Sequence, residues 1–368
     1  MKQYLKNLVR RLGRLAYPQE QSERLFFLSS QIATQQEQLS RLFSLASQLT
    51  FQAVSQQEQL NRLMGQIANQ STKQVNLLGK QLALHNSSRL SRPASLADIE
   101  FKVFSQWGED GIIDWLVSKL SPIPEIFIEF GVDNYEESNT RFLLLNRNWR
   151  GLIIDGSDSN IAYIRQSDLL WKYDLTACAR FITCENINSI FEENGFLGEI
   201  GLLSIDIDGN DYWIWEIIDK VSPVIVVCEY SSVLGDIYPI SIPYSSDFVR
   251  HKAHFSGQYA GASIKALTYL GQKKGYTFIG TSSSGVNAFF VRQDHLSKLG
   301  NFQPPVVSFP FRFSDTRNAA GELTYLRGIE RLKLIEHLPV VNVTTGEIAP
   351  IKNYGDIYSD KWKRMMSN

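Results

Sequence analysis

Apolar, strand-like runs that alternate with helical segments over residues 100–293 place the strongest constraint on how this chain can fold. Continuous apolar strands separated by helices are typical of a parallel sheet covered on both faces. Only TSSSG at 281–285 separates the last two runs, so the last strand is predicted to enter antiparallel, as a hairpin partner. The sequence therefore predicts an α/β fold with a seven-stranded, mostly parallel sheet whose last strand is antiparallel. The predicted strands are 125–130, 151–155, 179–183, 201–206, 223–230, 276–280 and 286–291, and the predicted helices include 137–146, 158–168, 187–194, 211–219 and 262–274.

A heptad pattern precedes this region. Apolar residues and glutamines recur in steps of three and four from Leu25 to Leu84, about eight heptads, where three or four suffice for a coiled coil. QIATQQEQLSRL at 31–42 recurs 21 residues later as QAVSQQEQLNRL at 52–63, so the repeat keeps the same seam. A disordered glutamine-rich linker is the alternative, but unstructured sequence need not keep heptad phase. We predict an α-helical coiled coil over 22–86 that makes the chain a homo-oligomer.

The segment 1–21 is basic and amphipathic. At helical spacing, its cations alternate with apolar residues, which suits a peripheral contact with an anionic membrane surface. A solvated charged face on a frayed terminus is an equally weighted alternative. The cations are Lys2, Lys6, Arg10, Arg11 and Arg14, and the apolar residues are Leu5, Leu8, Val9, Leu12 and Leu15.

Composition narrows the class of protein. The net charge of −1 gives no sign of a nucleic-acid binder. Three cysteines without a spacing motif predict a reducing, cytoplasmic location, with the inner face of the membrane as the surface that the basic segment would contact. No apolar run is long enough to predict a spanning helix, and the first residues do not resemble a signal peptide. A Ser/Pro/Arg-rich linker is predicted over 87–99, and a C-terminal helical extension over 294–368.

Acidic residues and a glycine stand where the first two predicted strands end. FIEFGVDN places Glu129 at the first strand tip and Gly131 in the turn, and LIIDGS places Asp155 26 residues after Glu129. Ligands of open parallel sheets bind beyond the carboxyl ends of the strands, where an acid can accept hydrogen bonds from both ribose hydroxyls. An ordinary turn glycine and a helix cap at Asp155 are the structural alternatives. The order and spacing of Glu129, Gly131 and Asp155 together favour a nucleoside site.

The glycine-rich dinucleotide fingerprint is missing. Asp133 and Tyr135 stand where the second and third glycines would fall, and Asp133 and Glu136 would repel a pyrophosphate. A cofactor with a sulfonium and an ammonium but no phosphate removes this conflict. S-adenosylmethionine fits both the acidic environment and the seven-strand order.

Residues 100–293 resemble a class I S-adenosylmethionine-dependent methyltransferase, and are most similar to the FkbM-like group, which implies a Rossmann-like methyltransferase sheet. The resemblance covers roughly half of the chain. It is carried by SQWGEDGII, FIEFGVDNYEESNTRFLL, NWRGLIIDGS, LLSIDIDGNDYWIW, VVCEY and GASIKALTYLGQKKGYTFIG with GVNAFFV.

The resemblance implies roles for several residues at the strand ends. Glu129 and Gly131 would form the first cofactor motif, and Asp155 would hold the ribose. The remaining cofactor-binding candidates are Glu185 or Asn186 near the adenine, and Gln106 and Asn139 near the methionine portion.

Three further acids end the fourth and fifth predicted strands or follow them closely. In related macrocycle-sugar methyltransferases, acids at these strand ends hold magnesium, so the resemblance implies that Asp206 or Asp208 binds Mg²⁺ with Glu229, since hard oxygen ligands suit this ion. A bound cation would lower the pKa of an acceptor hydroxyl. Without metal, one carboxylate can accept the proton directly. Asp211 is predicted to be a helix N-terminal residue.

Two histidines lie in the long connection after the fifth strand, which is predicted to be a substrate lid. Either His251 or His254 is a candidate general base, because an unperturbed histidine titrates near neutral pH. A surface histidine without a catalytic role is the commoner case. His254 is the catalytic candidate of the pair.

The sequence supports one leading function and two alternatives. The leading hypothesis is an O-methyltransferase that acts on a hydroxyl of a saccharide, glycan or glycolipid. A metal-dependent glycosyltransferase using Asp206 and Asp208 is the second, although the acidic strand tips oppose a diphosphate. A coiled-coil scaffold with a degenerate enzyme domain is the third.

Overall fold

The computed structural model describes residues 2–12, 19–89, 93, 95–300, 308–311 and 315–367. The chain divides into two compact units, Met1–Gln74 and Val75–Asn368. The predicted α/β fold with a seven-stranded sheet is confirmed in the second unit.

The first unit is helical. It contains α1, Lys2–Leu12, and most of α2, Gln19–Arg89, whose 71 residues correspond to roughly 107 Å at a rise of ~1.5 Å per residue. Side chains of the predicted seam are exposed along α2, with Leu39 at 64% and Leu42 at 65%. Arg14 and Leu15 of the predicted basic segment lie outside the described residues. The coiled coil stays a prediction.

The seven-stranded sheet has the order β3-β2-β1-β4-β5-β8-β7. The first five strands in the chain are mutually parallel, and β8 pairs antiparallel with both β5 and β7. All five parallel strands therefore present their carboxyl ends at one edge. The strands are β1 Ile126–Phe130, β2 Arg150–Asp155, β3 Leu175–Ala179, β4 Gly198–Ile205, β5 Val221–Glu229, β7 Tyr276–Thr281 and β8 Asn287–Arg292.

Helices cover both faces of this sheet. Side chains alternate along each strand, so Phe127 and Leu202 join the core of one face while Ile128 and Leu203 join that of the other. The first face is covered by α3 Glu109–Leu120, α4 Arg141–Arg147, α5 Asp158–Gln166 and α6 Leu169–Lys172, and the second by α7 Ile187–Asn194, α8 Asp211–Ile217 and α10 Ile264–Lys273.

The C-terminal segment packs against the chain that follows β5. A three-stranded antiparallel sheet of order β10-β9-β6 joins the two regions, with Ile240 of β6 paired to Asn342 of β9. Trp362 is fully buried in the same core as α8. The remaining elements are β6 Ile240–Ser241, α9 Arg250–Ala253, α11 Ile329–Ile335, β9 Pro339–Asn342, β10 Ile348–Pro350 and α12 Asp360–Ser367.

Three predicted elements are wrong in extent. The helix predicted over 137–146 begins only at Arg141, because residues 138–140 donate hydrogen bonds to the Glu129 carboxylate. The third strand, predicted over 179–183, ends at Ala179, whose neighbour in the sheet is Asp155. Within the predicted helical extension 294–368, the segment 321–338 is helical only over Ile329–Ile335. Gly328 has a φ of +52° immediately before it, a conformation that interrupts a right-handed helix. The predicted helical extension also contains the strands β9 and β10.

The end of α2 and the 3₁₀ turn that precedes α3 pack on the sheet domain. Ala83 of α2 is buried against Phe101, Phe104 and Phe142. Within the predicted linker 87–99, a 3₁₀ turn buries Leu96 and Ile99 in the core; residues 90–92 and 94 lie outside the described residues. None of the helices in the described parts of the chain combines the length and the apolar character that a membrane span needs.

Candidate functional site

A cavity of about 340 Å³ lies at the carboxyl ends of β1, β2, β4 and β5. Because parallel strands end at the same edge, residues far apart in the chain meet here. Six of the candidate site residues line it: Gln106, Gly131, Asp155, Asp206, Asp208 and Glu229.

Asp155 fixes the wall formed by the loops after β1 and β2. Its carboxylate accepts hydrogen bonds from the backbone N–H of Asp133 at 2.9 Å and of Ser157 at 2.8 Å. Burial, followed by the charges of Asp155 and Asp208, raises the pKa of Asp133. This wall is therefore acidic, and it favours a cation over an anion.

Gly131 makes a close approach between β1 and β4. Its φ is +66°, and a Cβ atom there would lie 1.7 Å from the carbonyl oxygen of Asp206. Any side chain would push the two strand ends apart. The glycine predicted from the turn is thus required by backbone packing at the cavity floor.

Asp206, Asp208 and Glu229 form a cluster of carboxylates. Each offers an oxygen atom, and these oxygens lie within 4.8 Å of one another. Burial, then the charges of Glu229 and Asp208, raises the pKa of Asp206 well above its ordinary value. Burial, then the charge of Asp208, raises the pKa of Glu229 to about 8. The cluster therefore has a strong demand for positive charge.

The guanidinium of Arg250 supplies part of the positive charge that balances the cluster. Its Nη1 donates to Asp208 at 2.7 Å, and its Nη2 donates to Asp315 at 3.2 Å. Although burial alone would lower the pKa of Arg250, the charges of Glu229 and Asp208 raise it. No sequence pattern predicts a role for this arginine, although it precedes His251 in the predicted substrate lid.

Asp211 is the first residue of α8, as predicted. Its carboxylate accepts from the backbone N–H groups of Ile207 and Gly209, both at 2.9 Å. These bonds hold the turn that carries Asp208, whose φ is +58°. Asp211 acts on the cluster by shaping its backbone.

Glu129 lies behind the cavity and is not among its lining residues. Its carboxylate accepts from the hydroxyls of Ser138 and Thr140, each at 2.5 Å, and from the backbone N–H of Asn139 at 2.8 Å. Asn139 donates from its side chain to Ser204 of β4 at 3.1 Å. The structure thus brings Glu129 and Asn139 together in a hydrogen-bond network that links β1, β4 and the start of α4.

Gln106 lies on a loop held by two buried acids. The Asp110 carboxylate accepts from the backbone N–H groups of residues 103–105 and from the Ser105 hydroxyl. Glu109 accepts from the N–H groups of Trp107 and Gly108. Both acids occur in the stretch SQWGEDGII, where they received no role.

Glu185 and Asn186 are placed away from the cavity. Glu185 accepts a hydrogen bond from the Tyr244 hydroxyl at 2.7 Å, and Asn186 precedes α7, where its side-chain oxygen accepts from the N–H of Thr183. Because β3 ends four residues earlier than predicted, Arg180, Phe181 and Ile182 line the cavity instead.

His254 and His251 are not among the cavity-lining residues. The Nδ1 atom of His254 lies 2.7 Å from the Ser256 hydroxyl, and its ring lies 6.3 Å from that of His337. Burial, then the proximity of His337, lowers the pKa of His254. His251 packs on Gly257. The carboxylate cluster is therefore better placed than either histidine for proton transfer at this cavity.

A second cavity, of about 290 Å³, adjoins the first. The two share Gln106, Glu229 and Arg250 in their linings. The C-terminal segment contributes Phe311, Asp315 and Arg331 to the second cavity, and the region after β5 contributes Ser231, Ser232 and Gln258.

Comparison with known proteins gives low similarities. No protein-family model matches the sequence, and no curated protein matches it. The pyocyanin biosynthetic protein PhzM shares 10% identity at a TM-score of 0.29, over 47% of this chain and 51% of PhzM. The N-terminal domain of EvdMO1 with SAH bound shares 12% identity at a TM-score of 0.34, over 60% of this chain and 94% of that one.

A further solved structure is an S-adenosylmethionine-dependent methyltransferase from Clostridium acetobutylicum. It shares 10% identity at a TM-score of 0.32, over 50% of this chain and 90% of that one. This chain spans about half the length of PhzM, the first of the three.

Proposed function

We propose that this chain is an S-adenosylmethionine-dependent methyltransferase. The observation that carries the proposal is the acidic cavity at the carboxyl ends of β1, β2, β4 and β5 in a sheet of order 3-2-1-4-5-8-7 with β8 antiparallel. That position is where open α/β sheets bind nucleosides. Asp155 would accept hydrogen bonds from the ribose, and residues 180–182 would lie against the base.

The charge of the cavity supports this donor over a dinucleotide. Asp133, Asp155 and the carboxylate cluster line the space, while Arg180 and Arg250 are the cations. A diphosphate would meet repulsion from these carboxylates, whereas a sulfonium and an ammonium would meet attraction. Tyr135, with a φ of +62°, stands where a phosphate-binding loop would need glycine.

We further propose that the acceptor is a hydroxyl group of a saccharide, glycan or glycolipid. In the reaction the S–CH₃ bond of the sulfonium breaks and an O–CH₃ bond forms. The acceptor loses its hydroxyl proton to a carboxylate of the cluster, and S-adenosylhomocysteine leaves as the neutral thioether. Glu229 of the cluster lines both cavities, which supports the role of the cluster in this step.

The same cluster fits a divalent cation. Asp206, Asp208 and Glu229 are hard oxygen donors close enough together to share one ion. They would hold Mg²⁺, which when bound would make the acceptor hydroxyl more acidic.

We propose that the protein is cytoplasmic and that its N-terminal unit has two roles. The first is to make the protein a homo-oligomer, and the second is to contact an anionic membrane surface. Exposed apolar side chains at heptad spacing on α2 support the first role. Basic residues on α1 support the second. Co-sedimentation with anionic vesicles but not with neutral ones would test the membrane contact.

The reaction is tested by incubating the full chain with methyl-labelled S-adenosylmethionine and a surface-polysaccharide extract, with and without a chelator. We expect label in the polysaccharide, reduced by the chelator and restored by Mg²⁺. Label in protein or nucleic acid would contradict the acceptor class. Unchanged transfer after chelation would contradict the proposed role of Mg²⁺. No transfer to any fraction would contradict the proposed methyltransferase activity.

A further inference from the structure

The second cavity is built on an arginine that is buried and incompletely bonded. Arg331 of α11 is 2% exposed and lines this cavity. Its Nη2 donates to the backbone carbonyl of Phe311 at 3.1 Å, and its guanidinium lies 5.5 Å from the centre of the Phe311 ring. Its Nε has no hydrogen-bond partner among the described residues.

The nearby carboxylate does not bond this arginine. Asp315, which lines the same cavity, accepts from Arg250 at 3.2 Å and from Gln258 at 2.9 Å. Arg331 appears in none of the ion pairs between described side chains. Burial therefore opposes the positive charge of Arg331 without a bonded carboxylate to offset it.

A buried guanidinium in this state is suited to an oxyanion. Arginine presents a rigid fork of donors that matches carboxylate and phosphate oxygens. The remaining walls offer the hydroxyls of Ser231 and Ser232 and the ring of Phe311, which suit sugar hydroxyls and the apolar face of a sugar ring.

We propose that the second cavity is the acceptor site and that Arg331 binds the oxyanion of an acidic saccharide, a carboxylate or a phosphate. This inference rests on the proposed function, because the acceptor must reach the methyl donor. The two cavities meet at Gln106, Glu229 and Arg250. An acid group held at Arg331 would leave another part of the sugar, with its hydroxyls, facing this junction.

The test compares D-glucuronate, D-glucose 6-phosphate and D-glucose as ligands of the full chain saturated with S-adenosylhomocysteine, by calorimetry or ligand-observed NMR. We expect at least one acidic sugar to bind about 10- to 100-fold more tightly than glucose, the range for hydrogen bonds to a charged group. The preferred acidic sugar shows which oxyanion the site takes. In Arg331→Gln the ratio of the affinity for the acidic sugar to the affinity for glucose should fall to nearly one. Arg331→Lys, which keeps the charge, should retain part of this preference.

Arg327→Gln is the matched control, because Arg327 is exposed and lies four residues earlier in the chain, before α11 begins; the preference of this variant for the acidic sugar over glucose should equal that of the wild type. Equal binding of all three sugars by the wild type would overturn the inference, as would a preference that survives in Arg331→Gln. Inorganic phosphate binding as tightly as the acidic sugars would overturn the saccharide assignment. Failure of wild-type chain to bind S-adenosylhomocysteine is a separate result, which overturns the proposed function itself.

Discussion

At the scale of single residues, Asp110 shows how a buried charge positions a site that it does not line. It is 1% exposed, and one of its carboxylate oxygens accepts from the backbone of residues 103–105. Burial, only partly offset by these bonds, raises its pKa from 3.8 to about 6. The folded protein therefore retains this proton to a higher pH than the unfolded chain does.

This predicts a pH-dependent stability difference for Asp110→Asn. As pH rises from about 4 to 7, the wild type should lose the stability that proton retention provides, because its unfolded chain ionises first. A pKa difference of about two corresponds to about 3 kcal/mol, so the stability of the variant relative to wild type should rise by about 1–3 kcal/mol across this range. Urea denaturation at several pH values measures it.

Asp219→Asn, which removes an exposed carboxylate, is the control for the loss of one negative charge without the loss of a buried group. A constant difference between Asp110→Asn and wild type from pH 4 to 7 would contradict the role given to burial.

Residues of the site were predictable where a strand ends and not where a loop folds back. Asp155, Asp206 and Glu229 end apolar strands or directly follow them, so the parallel sheet itself brings them together. Arg250 and Arg331 reach the cavities through tertiary packing over long sequence separations, which no local pattern encodes. Glu129 ends a strand as well, but its partners at 138–140 turn it away from the cavity.

At the scale of elements, the junction between β1 and β4 depends on Gly131. Gly131→Ala would combine a positive φ with a Cβ atom 1.7 Å from the Asp206 carbonyl oxygen. We expect a loss of more than about 3 kcal/mol in unfolding free energy, or failure to fold, because backbone must move to remove the clash.

Gly195→Ala separates the clash from the backbone conformation. Gly195 has a φ of +71° after α7, but its Cβ would meet nothing within 4 Å. This variant should lose only about 1 kcal/mol. Equal losses in the two variants, measured by thermal and urea denaturation, would contradict the packing argument for Gly131.

The accuracy of the predicted elements follows the strength of their local patterns. The continuous apolar runs of β4 and β5 left little ambiguity. β3 was placed four residues late, because FIT at 181–183 is more apolar than LTA at 175–177, yet Phe181 is 48% exposed beside the cavity. In the tail, pairing of β9 with β6 limits helix formation, and this pairing is not visible in either segment alone.

At the scale of the whole molecule, we expect α2 to form a homo-oligomer. Leu42→Lys combined with Leu63→Lys places two charges in the seam of the full chain, and should convert the oligomer to monomer, because a buried unpaired charge is costly. Light scattering after size exclusion at matched concentrations measures the mass.

The control shifts both substitutions by two residues. Ser44→Lys combined with Gly65→Lys puts the same charges on the opposite face of α2, where a Cβ at Gly65 meets nothing within 4 Å. This variant should keep the mass of the wild type. A wild type that is already monomeric, or a loss of mass in the control alone, would contradict the prediction that Leu42 and Leu63 lie in the interface of the oligomer.

We propose that a cationic nucleoside donor binds across the acidic ends of β1, β2 and β4, and calorimetry with S-adenosylhomocysteine and S-adenosylmethionine measures this binding. We expect saturable binding to the wild type, weakened about 10- to 100-fold in Asp155→Ala through loss of the ribose hydrogen bonds, and unchanged in Asp158→Ala at the exposed start of α5. No binding of either compound to the folded wild type, or equal affinity in Asp155→Ala, would contradict it.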